Sequence, residues 1–122
     1  MIIGIGTDIV EVKRVEDACK RESFLRGCYT EQEQNLFGNS PAKLAGNFAV
    51  KEAVSKVFGT GLRGFTLRDL EVLRDEQGKP YVCLYGAAKK KAEELGIAHI
   101  HVSISNTSEL AIAMVVGEGA NG

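Results

Sequence analysis

The sequence predicts an α+β fold in which an antiparallel sheet packs against one long central helix, with shorter helices around it. The predicted strands do not alternate one-to-one with helices, which argues against a doubly wound parallel sheet. The long helix, over residues 41–58, carries apolar side chains in several directions, so protein must enclose most of it. The expected order is therefore strand, helix, helix, long helix, strand pair, helix, strand pair.

Composition and length indicate one ordinary globular domain over residues 1–122. The chain has 122 residues, of which 44% are hydrophobic and 25% charged, with two prolines and no internal repeat. A net charge of −1 argues against wholesale electrostatic binding of nucleic acid. No apolar run reaches the roughly 18 residues of a membrane span.

Two further features predict a cytoplasmic location. The first four residues, Met1-Ile2-Ile3-Gly4, lack the basic start of a signal peptide. The three cysteines, Cys19, Cys28 and Cys83, have no C-x-x-C spacing, which is typical of free thiols in a reducing compartment.

The first strand is predicted over residues 2–10 by its alternation. One face carries apolar side chains, namely Ile3, Ile5 and Ile9. The other face carries small or acidic residues, namely Gly4, Gly6 and Asp8. A helical pattern follows over 11–21 and buries Val12, Val15 and Cys19.

Capping residues delimit the next two helices. Thr30 and Glu33 form a capping box that opens a short helix ending at Phe37. Ser40 is the N-cap of the long helix, and Gly59 can supply the left-handed residue that ends it.

The second half predicts strands and one more helix. Strands over 70–74 and 81–85 pair around a loop at 75–80. A helix over 87–95 ends at Gly96. A strand over 100–104 alternates, whereas 110–116 is apolar on both faces, as a central strand is.

The long helix also carries a charged pair, Glu52 and Lys56, four residues apart on the stripe of Ala45 and Ala49. One interpretation is a surface ion pair worth a few tenths of a kcal/mol. The helix is largely enclosed, however, and the small neighbours would leave space for a ligand. We therefore favour a functional role for this pair.

Asp8 poses a similar question at the end of its strand. Because Gly4 and Gly6 have no side chains to crowd it, and because an unpaired buried charge is costly, we expect Asp8 to meet a cation, a metal or a capping backbone amide. An N-cap role for the following helix is the alternative. Asp8 and Glu52 together, without histidine or thiolate, suit Mg²⁺ better than zinc.

Three other patterns have simpler interpretations. The glycine-rich loop 59–64 follows a helix rather than preceding one, so it is no Walker A loop; it is a turn or a backbone contact to a ligand. His99 and His101 share a strand face with Ser103 and Ser105, which we interpret as solvated. The first helix gathers four basic residues within roughly 120°, Lys13, Arg14, Lys20 and Arg21, which form either a solvated face or a docking face for an acidic partner.

Five segments in order along the chain carry a family resemblance. They are Gly6-Thr7-Asp8-Ile9-Val10-Glu11-Val12, Phe48-Ala49-Val50-Lys51-Glu52-Ala53-Val54-Ser55-Lys56, Gly59-Thr60-Gly61, Gly78-Lys79-Pro80 and Val102-Ser103-Ile104-Ser105. Together they resemble the holo-[acyl-carrier-protein] synthase family, the small bacterial branch of the 4′-phosphopantetheinyl transferases. The resemblance spans nearly the whole chain and implies the fold of those transferases.

The resemblance implies transfer of 4′-phosphopantetheine from coenzyme A to a serine of acyl carrier protein, with release of adenosine 3′,5′-bisphosphate. It implies that Asp8 and Glu52 hold Mg²⁺ and that Lys56 lies near the pyrophosphate. It leaves the base that takes the serine proton unassigned, and Glu52 and a metal-bound hydroxide are the two candidates. It assigns coenzyme A contacts to eight further positions, Gly59, Thr60, Gly61, Lys79, Pro80, Ser105, Asn106 and Thr107. It also implies a homotrimer with sites between subunits, in which the basic residues Lys13, Arg14, Lys20 and Arg21 dock the carrier protein.

Two positions depart from the family. Asn47 stands where the family has arginine and Asn106 where it has histidine, and both family residues are associated with coenzyme A phosphates. Each loss would remove a charge-assisted contact worth roughly 1.5–3 kcal/mol, unless Lys43, Lys51 or Arg63 compensates. A non-catalytic module that binds coenzyme A or the carrier protein, degenerate at these two positions, is the alternative function.

Overall fold

The computed structural model describes residues 1–59 and 63–120. The first half comprises β1 (Ile2–Glu11), α1 (Val12–Cys19), α2 (Glu22–Cys28), α3 (Glu31–Phe37) and α4 (Pro41–Phe58). The second half comprises a short 3-10 helix (Leu67–Asp69), β2 (Leu70–Arg74), β3 (Pro80–Leu84), α5 (Gly86–Glu94), β4 (Ile97–Asn106) and β5 (Leu110–Gly119).

The strands form two antiparallel units. β1, β5 and β4 make a three-stranded sheet in that order, and β2 pairs with β3 as a separate hairpin. Thr7 faces Met114 across the pairing of the first and last strands, and Ser103 faces Met114 from the other side. The predicted α+β class, the hairpin and the central place of β5 are thereby confirmed.

α4 lies against one face of the sheet, and two glycines of β1 set how closely it approaches. A Cβ atom on Gly6 would lie 2.1 Å from the carbonyl oxygen of Ala53, and one on Gly4 would lie 2.8 Å from that of Val57. Ala45 and Ala49 are fully buried as well. The ligand space predicted beside Glu52 therefore does not lie between the helix and the strand, whose backbones pack together there.

The ends of α4 form as their capping residues predict. The Ser40 hydroxyl accepts a hydrogen bond from the Lys43 backbone N–H at 3.3 Å, and Gly59 ends the helix with φ of 77°. Two-thirds of the helix is buried, with a core that includes Val50, Val54, Leu70, Val72, Ala113 and Val115. The helix is thus the enclosed element that its apolar pattern indicates.

One helix was not predicted. The helical pattern over 11–21 ends at Cys19, and α2 begins three residues later at Glu22. α2 contributes no fully buried side chain, so its seven residues show little apolar periodicity.

The opposite face of the sheet is apolar and exposed in the single chain. Ile5 is 62% exposed and Met114 48%, and Ile9 and Ile112 lie on the same face. β5 is therefore central in the sheet but buried on one face only, that of Ala111, Ala113 and Val115. In the described part of the chain, none of the helices combines the length and the apolar character needed to cross a membrane.

Candidate active site

The structure brings three of the predicted site residues together where β1 crosses α4. Lys56 Nζ donates hydrogen bonds to Thr7 O at 2.7 Å and to Asp8 Oδ1 at 3.3 Å. The side chain of Asp8 is 18% exposed and that of Lys56 is 56% exposed. The ion pair of Asp8 and Lys56 therefore borders solvent instead of lying in the core, and Lys56 contacts the β1 backbone as well as the carboxylate. The structure shows no N-cap hydrogen bond to α1, whose N-cap is Glu11.

Glu52 lies one helical turn before Lys56 and faces Asp8. Partial burial raises the pKa of the Glu52 carboxyl, the nearby Asp8 carboxylate raises it further, and Lys56 opposes both effects. Two carboxylates that repel each other in a half-buried site would both be stabilised by a cation bound between them. The oxygen-only donor set fits a hard ion such as Mg²⁺.

These two carboxylates are the acidic ligands that the protein itself would supply. Among residues 1–59 and 63–120, no three His, Cys, Asp or Glu side chains converge as a metal site. His101 is exposed on its strand and hydrogen-bonds Glu118 through Nε2 at 2.9 Å.

Asp8 and Glu52 open onto a cavity of about 620 Å³ between β1, α1, α2 and α4. Its lining combines the two carboxylates with Arg14, Arg21 and the aromatic rings of Phe24 and Phe48. Those rings lie 5.7 Å apart between centroids. The cavity thus offers an anionic end, two cations and an apolar wall within one space.

The basic residues of the predicted docking face divide into two groups. Arg14 and Arg21 line the cavity. Lys13 and Lys20 instead form ion pairs with Asp17, each at 3.2 Å, and do not line it. Of these four residues, the two arginines therefore share the cavity with the carboxylates.

The residues predicted to contact coenzyme A fall into separate places. Gly59 is exposed at the end of α4, whereas Thr60 and Gly61 lie outside the described residues. Ser105 and Asn106 end β4, and the Thr107 hydroxyl accepts from the N–H of Leu110, a cavity-lining residue, at 2.9 Å. That turn therefore borders the cavity.

Lys79 and Pro80 lie apart, at the hairpin of β2 and β3. Lys79 N donates to Asp75 Oδ1 at 2.8 Å, and neither Lys79 nor Pro80 lines the cavity.

The expectation for Asn47 is wrong, because this side chain is fully buried. Its Nδ2 donates to Glu33 Oε2 and to Val72 O, both at 3.0 Å. Asn47 therefore does not occupy a phosphate-binding position at the surface. Lys51 is fully buried too and cannot compensate, whereas Lys43, Arg63 and Asn106 are exposed.

Two features of this region escaped the sequence analysis. Phe24 lines the cavity from α2, a helix with too weak a pattern to be predicted. A buried ion pair joins Lys51 Nζ to Glu33 Oε1 at 2.6 Å, next to the site. A signal existed for the second feature, because a lysine on the enclosed helix requires a buried anion nearby.

Comparison with known proteins gives one consistent result. Residues 4–115 match the family model described as the 4′-phosphopantetheinyl transferase superfamily. The holo-[acyl-carrier-protein] synthase of Lachnoclostridium phytofermentans is 57% identical over 118 residues, which cover 97% of each chain. The Plasmodium yoelii acyl carrier protein synthase with ADP bound has a TM-score of 0.89 and 36% identity, covering 99% of this chain and 98% of that one.

A third relative was solved with a ligand. The Helicobacter pylori holo-[acyl-carrier-protein] synthase in complex with coenzyme A has a TM-score of 0.83 and 32% identity, covering 93% of this chain and 99% of that one. These matches extend over almost the full length of both partners, and they confirm the predicted fold. The chain therefore belongs to the 4′-phosphopantetheinyl transferase superfamily.

Proposed function

We propose that the chain, acting as one domain over residues 1–122, transfers 4′-phosphopantetheine from coenzyme A to a serine of apo-acyl carrier protein. The product is the holo-carrier protein, and adenosine 3′,5′-bisphosphate is released. The observation that carries this proposal is that Asp8 and Glu52 open onto one cavity, with Lys56 paired to Asp8, in a member of this superfamily. Close relatives are named holo-[acyl-carrier-protein] synthase, and one of them was solved with coenzyme A.

Asp8 and Glu52 would hold Mg²⁺. Partial burial and then the nearby Asp8 carboxylate raise the pKa of Glu52, so a cation between the two carboxylates would be favourable, and their hard oxygen donors also support this assignment. When bound, the ion supplies positive charge against the pyrophosphate oxygens as the bond to the leaving bisphosphate breaks. The raised pKa also makes Glu52 the chain's own candidate to accept the serine proton.

Lys56 would stabilise the leaving group. Its ammonium has three N–H donors, and two of them contact Thr7 O and Asp8 Oδ1. In the described residues this leaves one donor for a phosphate oxygen. Because the side chain is more than half exposed, it can reach a bound substrate without losing a packed position.

Arg14 and Arg21 would dock the carrier protein. They lie on the cavity wall beside the carboxylates, whereas Lys13 and Lys20 are held by Asp17. An acidic partner approaching this wall would bring its serine toward Asp8 and Glu52. Phe24 and Phe48 supply apolar contact at the same place.

Coenzyme A would bind through segments of different subunits of a homotrimer. The exposed sheet face of Ile5, Ile9, Ile112 and Met114 supports such an assembly, since contiguous apolar surface of this kind marks protein interfaces. Lys79 and Pro80 lie outside the cavity of their own chain, which supports a role at the site of a neighbouring subunit. There they would bind coenzyme A together with the other predicted contact residues, which are Gly59, Thr60, Gly61, Ser105, Asn106 and Thr107.

The trimer is tested by analytical ultracentrifugation of Ile5→Lys, with Leu36→Lys as control. Leu36 is equally exposed but lies on α3, away from the sheet. We expect Ile5→Lys to give monomers and Leu36→Lys to remain a trimer. A trimer in both variants would place the interface elsewhere.

The alternative function, a degenerate binding module, was based on the departures from the family at Asn47 and Asn106, and the first of these no longer supports it. Asn47 is buried, so its departure from the family pattern does not mark a damaged ligand site. Both carboxylates and Lys56 are present and adjacent. We also place the reaction in the cytoplasm, a proposal supported by three free cysteines.

The transfer itself is tested by incubating the protein with coenzyme A, Mg²⁺ and an apo-acyl carrier protein. We expect the carrier protein to gain the mass of phosphopantetheine, as read by mass spectrometry. Asp8→Asn and excess chelator should each abolish the gain. Full transfer in excess chelator would contradict the metal assignment, and no transfer at all would contradict the function.

A further inference from the structure

We propose that Lys51 is a positioning residue for carrier-protein docking: it holds the C-terminal end of α2, and with it Arg21 and Phe24, against the helix that carries Glu52. The inference rests on the proposed function, because docking on the cavity wall is part of that function. Lys51 is not a catalytic residue. It is fully buried and does not line the cavity.

The contacts of Lys51 all lead away from the reaction site toward α2 and α3. Its Nζ donates to Cys28 O at 2.5 Å and to Glu33 Oε1 at 2.6 Å, and it lies 5.0 Å from the centroid of the Tyr29 ring. The buried Tyr29 also ties this junction to α4, since its hydroxyl donates to Leu44 O at 2.8 Å.

Glu33 holds the Lys51 ammonium in place. Its Oε1 also accepts from Thr30 N at 2.9 Å, and its Oε2 accepts from Asn47 Nδ2 and from Val72 N at 3.0 and 3.1 Å. A carboxylate with four donors cannot easily turn away. The Lys51 donor directed at Cys28 O is therefore fixed relative to α3, α4 and β2.

α2 needs such an anchor because it has little packing of its own. None of its side chains is fully buried, and the last carbonyls of any helix lack intrahelical partners. Two cations meet these carbonyls: Lys51 at Cys28 O, and Arg68 Nη1 at Arg26 O at 2.6 Å. Positive charge is favourable at this end of a helix, and the buried Lys51 is the better fixed of the two.

α2 in turn carries one cation and one aromatic ring of the cavity wall, whereas Arg14 lies on α1 and Phe48 on α4. Phe24 is its third residue, and Arg21, its N-cap, lies 5.9 Å from the Phe24 ring centroid. Asp8 and Glu52, by contrast, lie on β1 and α4. A displaced α2 would therefore move Arg21 and Phe24 and leave the carboxylates in place.

The test compares Lys51→Met with the charge-balanced variant Lys51→Met/Glu33→Gln. In either variant we expect the amides of residues 25–29 to exchange hydrogen about tenfold faster, which is the loss of one hydrogen bond to a charged group. In the charge-balanced variant, in which no buried charge is left unpaired, the amides of β5 should not change. This variant decides the test, because the single variant also lowers global stability and so speeds exchange throughout the core. Equal acceleration in α2 and β5 of the charge-balanced variant, or none in α2, would overturn the proposal.

The kinetic arm uses a mutant cycle with Arg21→Ala. We expect Lys51→Met to raise the KM for the carrier protein about tenfold and to leave the KM for coenzyme A unchanged. In the Arg21→Ala background, Lys51→Met should raise the KM for the carrier protein by a much smaller factor, because the displaced wall no longer carries its cation. An equal increase in both backgrounds would overturn the proposal. Absence of transfer by the unmodified protein would refute the proposed function, and the hydrogen-exchange result would still stand.

Discussion

Two adjacent residues of α4, Lys51 and Glu52, lie in opposite environments. The Lys51 ammonium is fully buried and bonded to a carboxylate, a carbonyl and an aromatic face. Glu52 is only partly buried and faces a second carboxylate, Asp8, so its pKa is raised. A step of one residue, about 100° around the helix axis, thus separates a closed cluster of charges from an open one.

The difference shows that one helix can carry both a buried ion pair that fixes the fold and a carboxylate that takes part in the proposed reaction. Where opposite charges are buried with all partners present, removing one leaves the other unpaired, so the cluster fixes geometry. Where like charges meet at a solvent-accessible cavity, the site is stabilised by what it binds. The closed cluster should therefore respond to mutation in stability and docking, and the open one in activity.

The largest expected effect is on stability, in the closed cluster. Lys51→Met should lower the free energy of unfolding by about 3–5 kcal/mol, because Glu33 remains buried without its cation. Lys56→Met is the matched control on the same helix. Its ion pair with Asp8 borders solvent and the Lys56 side chain is more than half exposed, so this variant should lose at most about 1 kcal/mol. Urea denaturation measures both, and equal losses would remove the distinction.

The next effect is on activity, in the open pair. Glu52→Gln should lower kcat/KM for transfer by on the order of a hundredfold, the usual result of removing one electrostatic stabiliser of a transition state. Stability should hardly change. The control is Glu94→Gln, an exposed carboxylate on α5, which should behave like the unmodified protein. A Glu52→Gln protein with full activity in a Mg²⁺ titration would show that the open pair is not the reaction site.

A third prediction separates the cavity arginines from the outer lysines. Charge reversal of Arg21 to Glu should raise the KM for the carrier protein about tenfold, with little change in the KM for coenzyme A. Lys13→Glu, on the other side of α1, should have a smaller effect because Lys13 already pairs with Asp17. Added salt should mimic Arg21→Glu, since exposed charges are screened. Equal effects at the two positions would mean that docking uses the whole face of α1.

The smallest effect concerns pH and the stability of the metal-free protein. The pKa of Glu52 is raised in the folded state, so its contribution to stability is full below the unfolded-state pKa and is lost as pH rises through the folded-state pKa. The Glu52→Gln variant has no carboxyl group at this position and therefore does not lose this stability as the pH rises. Relative to the unmodified protein, its Tm in chelator should therefore improve as the pH rises above about 4.3, the ordinary pKa of a glutamate. A relative decline over that range would contradict the sign of the pKa shift.

Much of the fold could be predicted because its signals are local. Thr30 with Glu33, and Ser40 with Gly59, delimit their helices through bonds to backbone groups a few residues away. The hairpin of β2 and β3 likewise depends on a short turn. The candidate site was predictable for a different reason. Asp8, Glu52 and Lys56 are charged residues on an apolar strand and an enclosed helix, where an unpaired charge is costly.

Only the tertiary structure decided which distant residues share a space. The pairing of β1 with β5, the close approach of α4 at Gly6, and the burial of Asn47 beside Glu33 all join residues far apart in the chain. Glycine and alanine at these positions are compatible either with a ligand cavity between α4 and β1 or with close packing of the two backbones, and the structure shows close packing. Local propensity is set by neighbours within a turn or two, whereas these contacts depend on how complete faces pack, which a residue's own neighbours do not determine.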